Sequence, residues 1–360
     1  MSVIIFLVVL SILVIVHEFG HFILAVKNGV LVKRFSIGFG PKLFGVKKNG
    51  TEFCVCLIPL GGYVKMAGEE PSEHTKGEEN EYLSKPVGKR AQIIVAGALL
   101  NYLLAFLLFT FVFMVGNPTA TSKVGRVIDG FPAASHNIKQ DDRIIAIDGK
   151  QIQYWEELTE IIHKRLEGSV TLTIKRGDRT FNTTLEPSVR EIKNIFGKTI
   201  KIAQIGIAPS TEIIIVKHNP VEALVLGGQR LWFFTATTYK GLWAMITGSM
   251  PVKESMTGPI GIFFLTKETA KLGFIYLVHF MALLSAALAI FNLLPFPVLD
   301  GGHLIFLGIE KVRKKPVSVK VQEKITQVAI VLLIALMLFV SYGDITKFGI
   351  KEKILGMFKK

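Results

Sequence analysis

Val14-Ile15-Val16-His17-Glu18-Phe19-Gly20-His21-Phe22-Ile23-Leu24 sets the fold class of this chain. It lies within residues 2–26, an apolar run interrupted only by Glu18, the two histidines, Ser2, Ser11 and Gly20. As a helix, such a run crosses a hydrocarbon layer of about 30 Å. Ionisable groups are costly at that depth, so a cluster of them reads first as a functional site. Helical positions i and i+4 share a face, and His17 and His21 can therefore turn imidazole nitrogens toward one metal ion. Glu18 projects beside them, placed to take a proton from metal-bound water. The H-E-x-x-H pattern alone is short enough to arise by chance. Inside a membrane-length helix, where unpaired His and Glu would cost several kcal/mol, it points to zinc.

The 360 residues leave room for about two domains, and with half of them hydrophobic the composition is that of an integral membrane protein. The net charge of +14 is spread through every loop, and no helix carries a dense basic stripe. An anionic lipid surface is therefore the expected counterpart, and nucleic acid is excluded as a partner. Cys54 and Cys56, the only cysteines, stand two apart on an expected strand and cannot easily pair, which fits a reduced, cytosol-facing segment. No basic residue precedes the first apolar run and no small-x-small site follows it, so it is expected to stay as a transmembrane helix.

Residues 27–92 are polar, punctuated by glycine, and carry 11 Lys or Arg. Residues 35–41 and 52–58 read as short strands closed by Pro59-Leu60-Gly61-Gly62-Tyr63-Val64-Lys65-Met66. The segment is either an ordinary hairpin loop or a membrane-dipping sheet near the site. In the second reading an exposed edge around Gly61, Gly62, Tyr63 and Val64 would bind substrate as an added strand. Residues 93–115 form a second span, with Asn101 its one strongly polar side chain, expected to bond helix to helix and, after that, to contact substrate.

From about Thr119 to Pro187 short alternating runs surround one helical pattern at 155–166. This segment resembles a PDZ domain through Val124-Gly125-Arg126-Val127, Phe131-Pro132-Ala133-Ala134 and Asp141-Asp142-Arg143-Ile144-Ile145-Ala146-Ile147-Asp148-Gly149. The likeness implies a groove open to a peptide or a substrate ectodomain, or else a bulky gate. Residues 191–218 read as trailing strands. Residues 220–250 read as an amphipathic helix lying in the interface, with a further span as the rival, because Arg230 and Lys240 interrupt its apolar face. Spans are expected at 274–294 and 326–342, giving four. Residues 310–324 between them carry six basic residues against two acidic. By the positive-inside rule this loop and residues 27–92 face the cytosol and the PDZ-like domain lies outside; the basic tail after Tyr342 weighs the other way. The expected divisions are 1–116, 117–190, 191–252 and 253–360.

Asn292-Leu293-Leu294-Pro295-Phe296-Pro297-Val298-Leu299-Asp300-Gly301-Gly302-His303 ends the third span. Two prolines break the helix, leaving Asp300 at the depth of His17 and His21. A catalytic zinc needs three protein ligands and an open position; Asp300 supplies the third, with His303 the competitor and a capping role the bland alternative. With both halves in view, the chain resembles the site-2 protease family, close to its bacterial RseP-like group. The likeness rests on the first-span H-E-x-x-H, Gly38-Phe39-Gly40-Pro41, Gly61 to Met66, one PDZ-like insert, Gly258-Pro259-Ile260-Gly261 and the N-x-x-P-x-P-x-L-D-G string. It implies Zn2+ held by His17, His21 and Asp300, Glu18 as general base, and Asn292 near the substrate backbone. The implied substrates are single-span membrane proteins in the bacterial inner membrane, such as anti-sigma factors or remnant signal peptides. Ala98 stands where the family usually has proline, and Ala287 where many members have asparagine. The fold class is then an α-helical polytopic membrane protein of about four transmembrane helices, a membrane-associated β segment and one inserted PDZ-like α+β domain. A divalent-metal transporter would need polar relays through several spans, which the second and fourth lack. A non-catalytic PDZ-bearing scaffold is the other rival.

Overall fold

A computed structural model describes residues 2–69 and 77–347. The first stretch contains helix α1 (Ser2–Lys27), strands β1 (Val32–Lys48) and β2 (Thr51–Met66) and helix α2 (Val87–Val115). Next come β3 (Asn117–Ala120), β4 (Val124–Val127), α3 (Pro132–Ser135), β5 (Arg143–Ile147), β6 (Lys150–Gln151) and α4 (Trp155–Lys164). They are followed by β7 (Val170–Arg176), β8 (Arg179–Leu185), β9 (Ser188–Lys193), β10 (Thr199–Gln204), β11 (Ile207–Pro209) and β12 (Ile213–Val216). The rest is helical: α5 (Pro220–Ile246), α6 (Val252–Ser255), α7 (Pro259–Leu272), α8 (Phe274–Asn292), α9 (Asp300–Arg313) and α10 (Val319–Lys347).

Four of the described helices, α1, α2, α8 and α10, are long and apolar enough to cross a membrane. Their outer faces keep large apolar side chains exposed, among them Leu107, Val331 and Leu338. Water would penalise that surface, whereas hydrocarbon does not. The chain divides into two compact units, the first comprising Met1–Val112, Ala223–Tyr239 and Pro251–Lys360, the second Phe113–Glu222 and Lys240–Met250. The basic tail beyond residue 347 lies outside the described residues.

In the first unit α1 and α2 pack at backbone contact. Gly20 meets the Ala96 carbonyl, where a Cβ would collide. The helix α7 lies against α1, with Phe6 and Phe263 edge to face at 5.5 Å. The buried Asp344 of α10 accepts hydrogen bonds from the Gly258 and Gly261 backbone N–H groups at 3.0 and 2.8 Å, satisfying donors at the start of α7. Strands β1 and β2 are bent and interleaved. Residues 32–37 pair antiparallel with 62–66 (Phe35↔Val64, Ile37↔Gly62), and on the other flank their partners rise together from Arg34↔Glu52 to Ile37↔Val55. Residues 42–48 then pair antiparallel with 51–56. The segment 59–66, read from its proline and two glycines as a closing turn, is strand. Its stretch 62–66 pairs on one side only among the described residues, which makes it an edge.

The in-plane reading of 220–250 changes for the middle of α5. Gly227 abuts Thr110, Gly228 faces Phe106, and the Thr235 and Tyr102 hydroxyls stand 2.9 Å apart. As α5 advances from 227 to 235 its partners on α2 fall from 110 to 102, so this part runs antiparallel beside a candidate span. Leu231 shares a core with Phe109, Ala282 and Ala286. The helix–helix bond expected of Asn101 is also made differently: Ser285 Oγ donates to the Asn101 backbone carbonyl at 2.8 Å, and the buried Asn101 amide itself has no partner.

The second unit has a four-stranded sheet in the order β6-β5-β7-β8, with α4 presenting Leu158 and Ile162 to its core. Alternation in β7 places Val170, Leu172 and Ile174 inward. The residues read as trailing strands close this unit: β11 pairs with β4, β12 with β3, and Ile205 joins the core beside Val124. Asp142, fully buried, takes both Arg176 Nε and Nη2, at 2.6 and 2.8 Å, together with the Lys139 N–H.

Candidate active site

The i, i+4 spacing brings the α1 histidines together as helical geometry requires, with His17 Nε2 and His21 Nε2 3.1 Å apart. Asp300, in the first turn of α9, places Oδ2 3.3 Å from His17 Nε2 and 3.7 Å from His21 Nε2. It reaches this place because Pro295 and Pro297 end α8 and the chain folds back onto itself. The turn is tight: a Cβ on Gly301 or Gly302 would strike the Leu294 or Phe296 carbonyl oxygen.

These three residues are the only group of three His, Cys, Asp or Glu side chains among the described residues whose ligand atoms converge, all within 4.8 Å. Two further observations fit a metal. Asp300 Oδ2 is buried and accepts no hydrogen bond, a costly state unless a cation satisfies it. Ligands held tetrahedrally about 2.1 Å from zinc stand roughly 3.4 Å apart, close to the separations here. The tautomers also agree. His21 Nδ1 donates to the Ile93 carbonyl at 2.9 Å, which leaves Nε2 its lone pair for an ion. The Asn292 amide stands 3.4 Å from His17 Nδ1, and a half-turn of that group offers its oxygen to the ring N–H. Asn292, expected at the substrate backbone, stands against His17. His303 is not one of the three convergent residues: it lines the neighbouring cavity with its ring against Phe306.

Glu18 turns its carboxylate toward the backbone N–H of Val64, and a Cβ on Gly62 would come within 3.5 Å of its Cγ. Edge segment 62–66 therefore runs directly over the acid. Tyr63 stacks on Phe39 at 6.1 Å and accepts from Arg34, while the Gly61 backbone packs on the Phe39 ring. A cavity of about 620 Å3 opens from Glu18, His21 and Asp300 past Tyr63 and Tyr82 to Arg90 and Glu310. It is large enough for several residues of extended chain. The contributions of Ile93, Gly97, Arg90 and Glu310 carry no motif and were not readable from sequence.

The sequence matches Peptidase family M50 over residues 5–336. This chain belongs to that family. A putative zinc metalloprotease of Mesorhizobium japonicum is 33% identical over 357 residues, covering 94% of this chain and 97% of its own length. The regulator of sigma-W protease RasP of Bacillus subtilis is 28% identical over 425 residues, covering 96% and 98%. A solved PDZ domain of an SdrC-like protein from Listeria monocytogenes aligns with 25% of this chain and 87% of its own, at 25% identity and a TM-score of 0.20. The chain is accordingly a zinc-dependent peptidase with four helices fit to span a membrane, and the transporter and scaffold readings fall away.

Proposed function

We propose that this M50 peptidase cuts the membrane-spanning segments of single-span membrane proteins, with zinc held by His17, His21 and Asp300 and with Glu18 as the proton carrier. One observation carries the reading: two of the three convergent ligand atoms, those of His17 and His21, hang from α1, about 23 Å along an apolar helix that has about 15 Å left to run, which supports chemistry below the lipid surface. Held by these three residues, zinc would supply Lewis acidity for activating water and a peptide carbonyl. Glu18 takes the proton from the attacking water and delivers it to the leaving amine. Asn292 and the Ile93 carbonyl hold the two imidazoles in the tautomer that keeps Nε2 free.

A helical substrate hides its carbonyls in its own hydrogen bonds, so a local extended form has to come first. The edge at Gly62 and Tyr63 lies beside Glu18, which takes the neighbouring Val64 N–H, and offers main-chain partners to such a strand. In the second unit a hollow of about 110 Å3 lies between α4 (Trp155, Ile162) and residues 204–207, the place for a side chain of a peptide or substrate ectodomain. Basic residues in 27–92 and 310–324 favour a bacterial cytoplasmic membrane location with the site toward the cytosol and the PDZ-like domain outside. The Bacillus subtilis relative is named for regulating sigma-W, and anti-sigma factors and remnant signal peptides are the two substrate classes the reading carries.

Glu18→Gln tests the reading with a reconstituted single-span substrate. Cleavage is expected to fall by about 10²- to 10⁴-fold while zinc stays stoichiometric. Wild-type turnover by that variant would remove Glu18 from the mechanism.

A further inference from the structure

Arg90, near the start of α2, and Glu310, near the end of α9, form an ion pair that the proposed chemistry does not use. Arg90 is 6% exposed and the Glu310 side chain 17%. Arg90 Nη1 donates to Glu310 Oε2 at 3.1 Å, Nη2 donates to Oε1, and Nε donates to the Lys85 carbonyl at 3.0 Å. This is the bidentate geometry that fixes direction as well as distance. Apolar residues of similar volume would cover the same space at lower desolvation cost. The charges therefore supply something other than packing.

Their position in the two helices indicates what. On α9, Asp300, His303, Leu307 and Glu310 recur at spacings of three, four and three, and all four line the cavity. On α2, Arg90, Ile93 and Gly97 recur in the same way. The Ile93 carbonyl orients His21, and Gly97 makes room for both imidazoles. Asp300 accepts no hydrogen bond at Oδ2, so its place follows from where α9 lies. The N-terminal turn of α9 is wedged at Gly301 and Gly302. A rod wedged at one end still pivots and rolls about that end, and as it does so the Asp300 side chain beside the wedge changes direction; Glu310, ten residues or about 15 Å away, is where that motion is largest and most easily held.

We propose that Arg90 and Glu310 are a positioning pair. By fixing the far end of α9 they set Asp300 against the two histidines, so that one face of α2 aligns both halves of the metal site. The proposal rests on Asp300 being a ligand, and the test separates the two ideas.

Full-length Glu310→Gln, Arg90→Lys, the exchange Arg90→Glu with Glu310→Arg, and Asp300→Ala are compared in detergent. Zinc affinity is read by chelator competition, coordination by the visible spectrum of the cobalt-substituted protein, and folding by circular dichroism. Glu310→Gln and Arg90→Lys are expected to hold zinc about tenfold more weakly, with an altered cobalt spectrum and unchanged helix content. The exchange is expected to recover most of that loss. Zinc bound as tightly as in wild type by Glu310→Gln, while Asp300→Ala loses it, overturns the positioning role. Loss of fold in the single variants without recovery in the exchange overturns it too, since the pair is then a structural tie alone. Zinc retained in full by Asp300→Ala overturns the ligand assignment instead.

Discussion

Replacing Gly97 by alanine adds one carbon to a helix, and the structure places that carbon against the imidazoles of His17 and His21, the proposed zinc ligands. Its Cβ would stand 2.8 Å from His17 Cε1 and 2.7 Å from His21 Cε1, and closer still to His21 Nε2. Carbon atoms rest about 3.5–4.0 Å apart, so the rings must retreat by roughly 1 Å. Metal sites hold their ligands to within about 0.2 Å, and disturbing the supports of a ligand weakens binding by about 10- to 100-fold. That is about 1.4–2.7 kcal/mol. Alanine favours the helix itself by about 0.8–1.0 kcal/mol, which offsets much of the cost of displacing the two rings, so the zinc-free protein is expected to melt close to wild type. Zinc affinity by chelator competition and melting of the zinc-free form are therefore expected to move independently. Gly88→Ala, in the same helix with open space at its Cβ, is the control and is expected to change neither binding nor chemistry. Gly97→Ala with wild-type zinc affinity would refute the reasoning, because the rings would then not lie against α2.

Val64→Pro removes a main-chain donor beside Glu18; cleavage of a membrane substrate is expected to drop at least tenfold with zinc still bound, as activity and metal analysis on one sample would show. Asp344→Ala deprives two backbone N–H groups at the start of α7 of a charged acceptor and is expected to cost about 3 kcal/mol, seen as an earlier denaturant midpoint, with Asp344→Asn milder. The Glu52 carboxyl is held below the usual range by Lys42 and then by Arg34. Its contribution to the β1–β2 hairpin is therefore complete above about pH 4.5 and fades as the pH falls through the lowered folded value. Amide exchange in residues 42–56 is expected to accelerate only on that acid side.

Local periodicity made the first half of the site legible. Two histidines one turn apart on an apolar helix converge whatever surrounds them, so spacing alone sufficed for His17 and His21. Asp300 was within reach only through the proline-broken string that precedes it. Asn292 lay in the same string, yet nothing in it distinguished a substrate contact from a place against His17. Arg90 and Glu310 meet across 220 residues, and no pattern in either segment announces the other. Pro59, Gly61 and Gly62 misled: they read as a closing turn, but β2 runs on through them because register shifts absorb the irregular backbone. The course of α5 was hidden for a similar reason. Its charges at Arg230 and Lys240 spoke for an interfacial helix, whereas Gly227 and Gly228, which let it lie along α2, are silent in a hydropathy profile.

On the substrate docking proposed above, the edge at Gly62 and Tyr63 would have a consequence for choice of substrate. Main-chain pairing recognises no side chain, so a strand docked there is accepted with little regard for its letters. Discrimination then passes to the cost of unwinding: a span containing glycine, asparagine or proline near its middle gives up its helix cheaply, and an uninterrupted leucine-rich span does not. Enzyme and prey would be matched by how readily the prey comes apart.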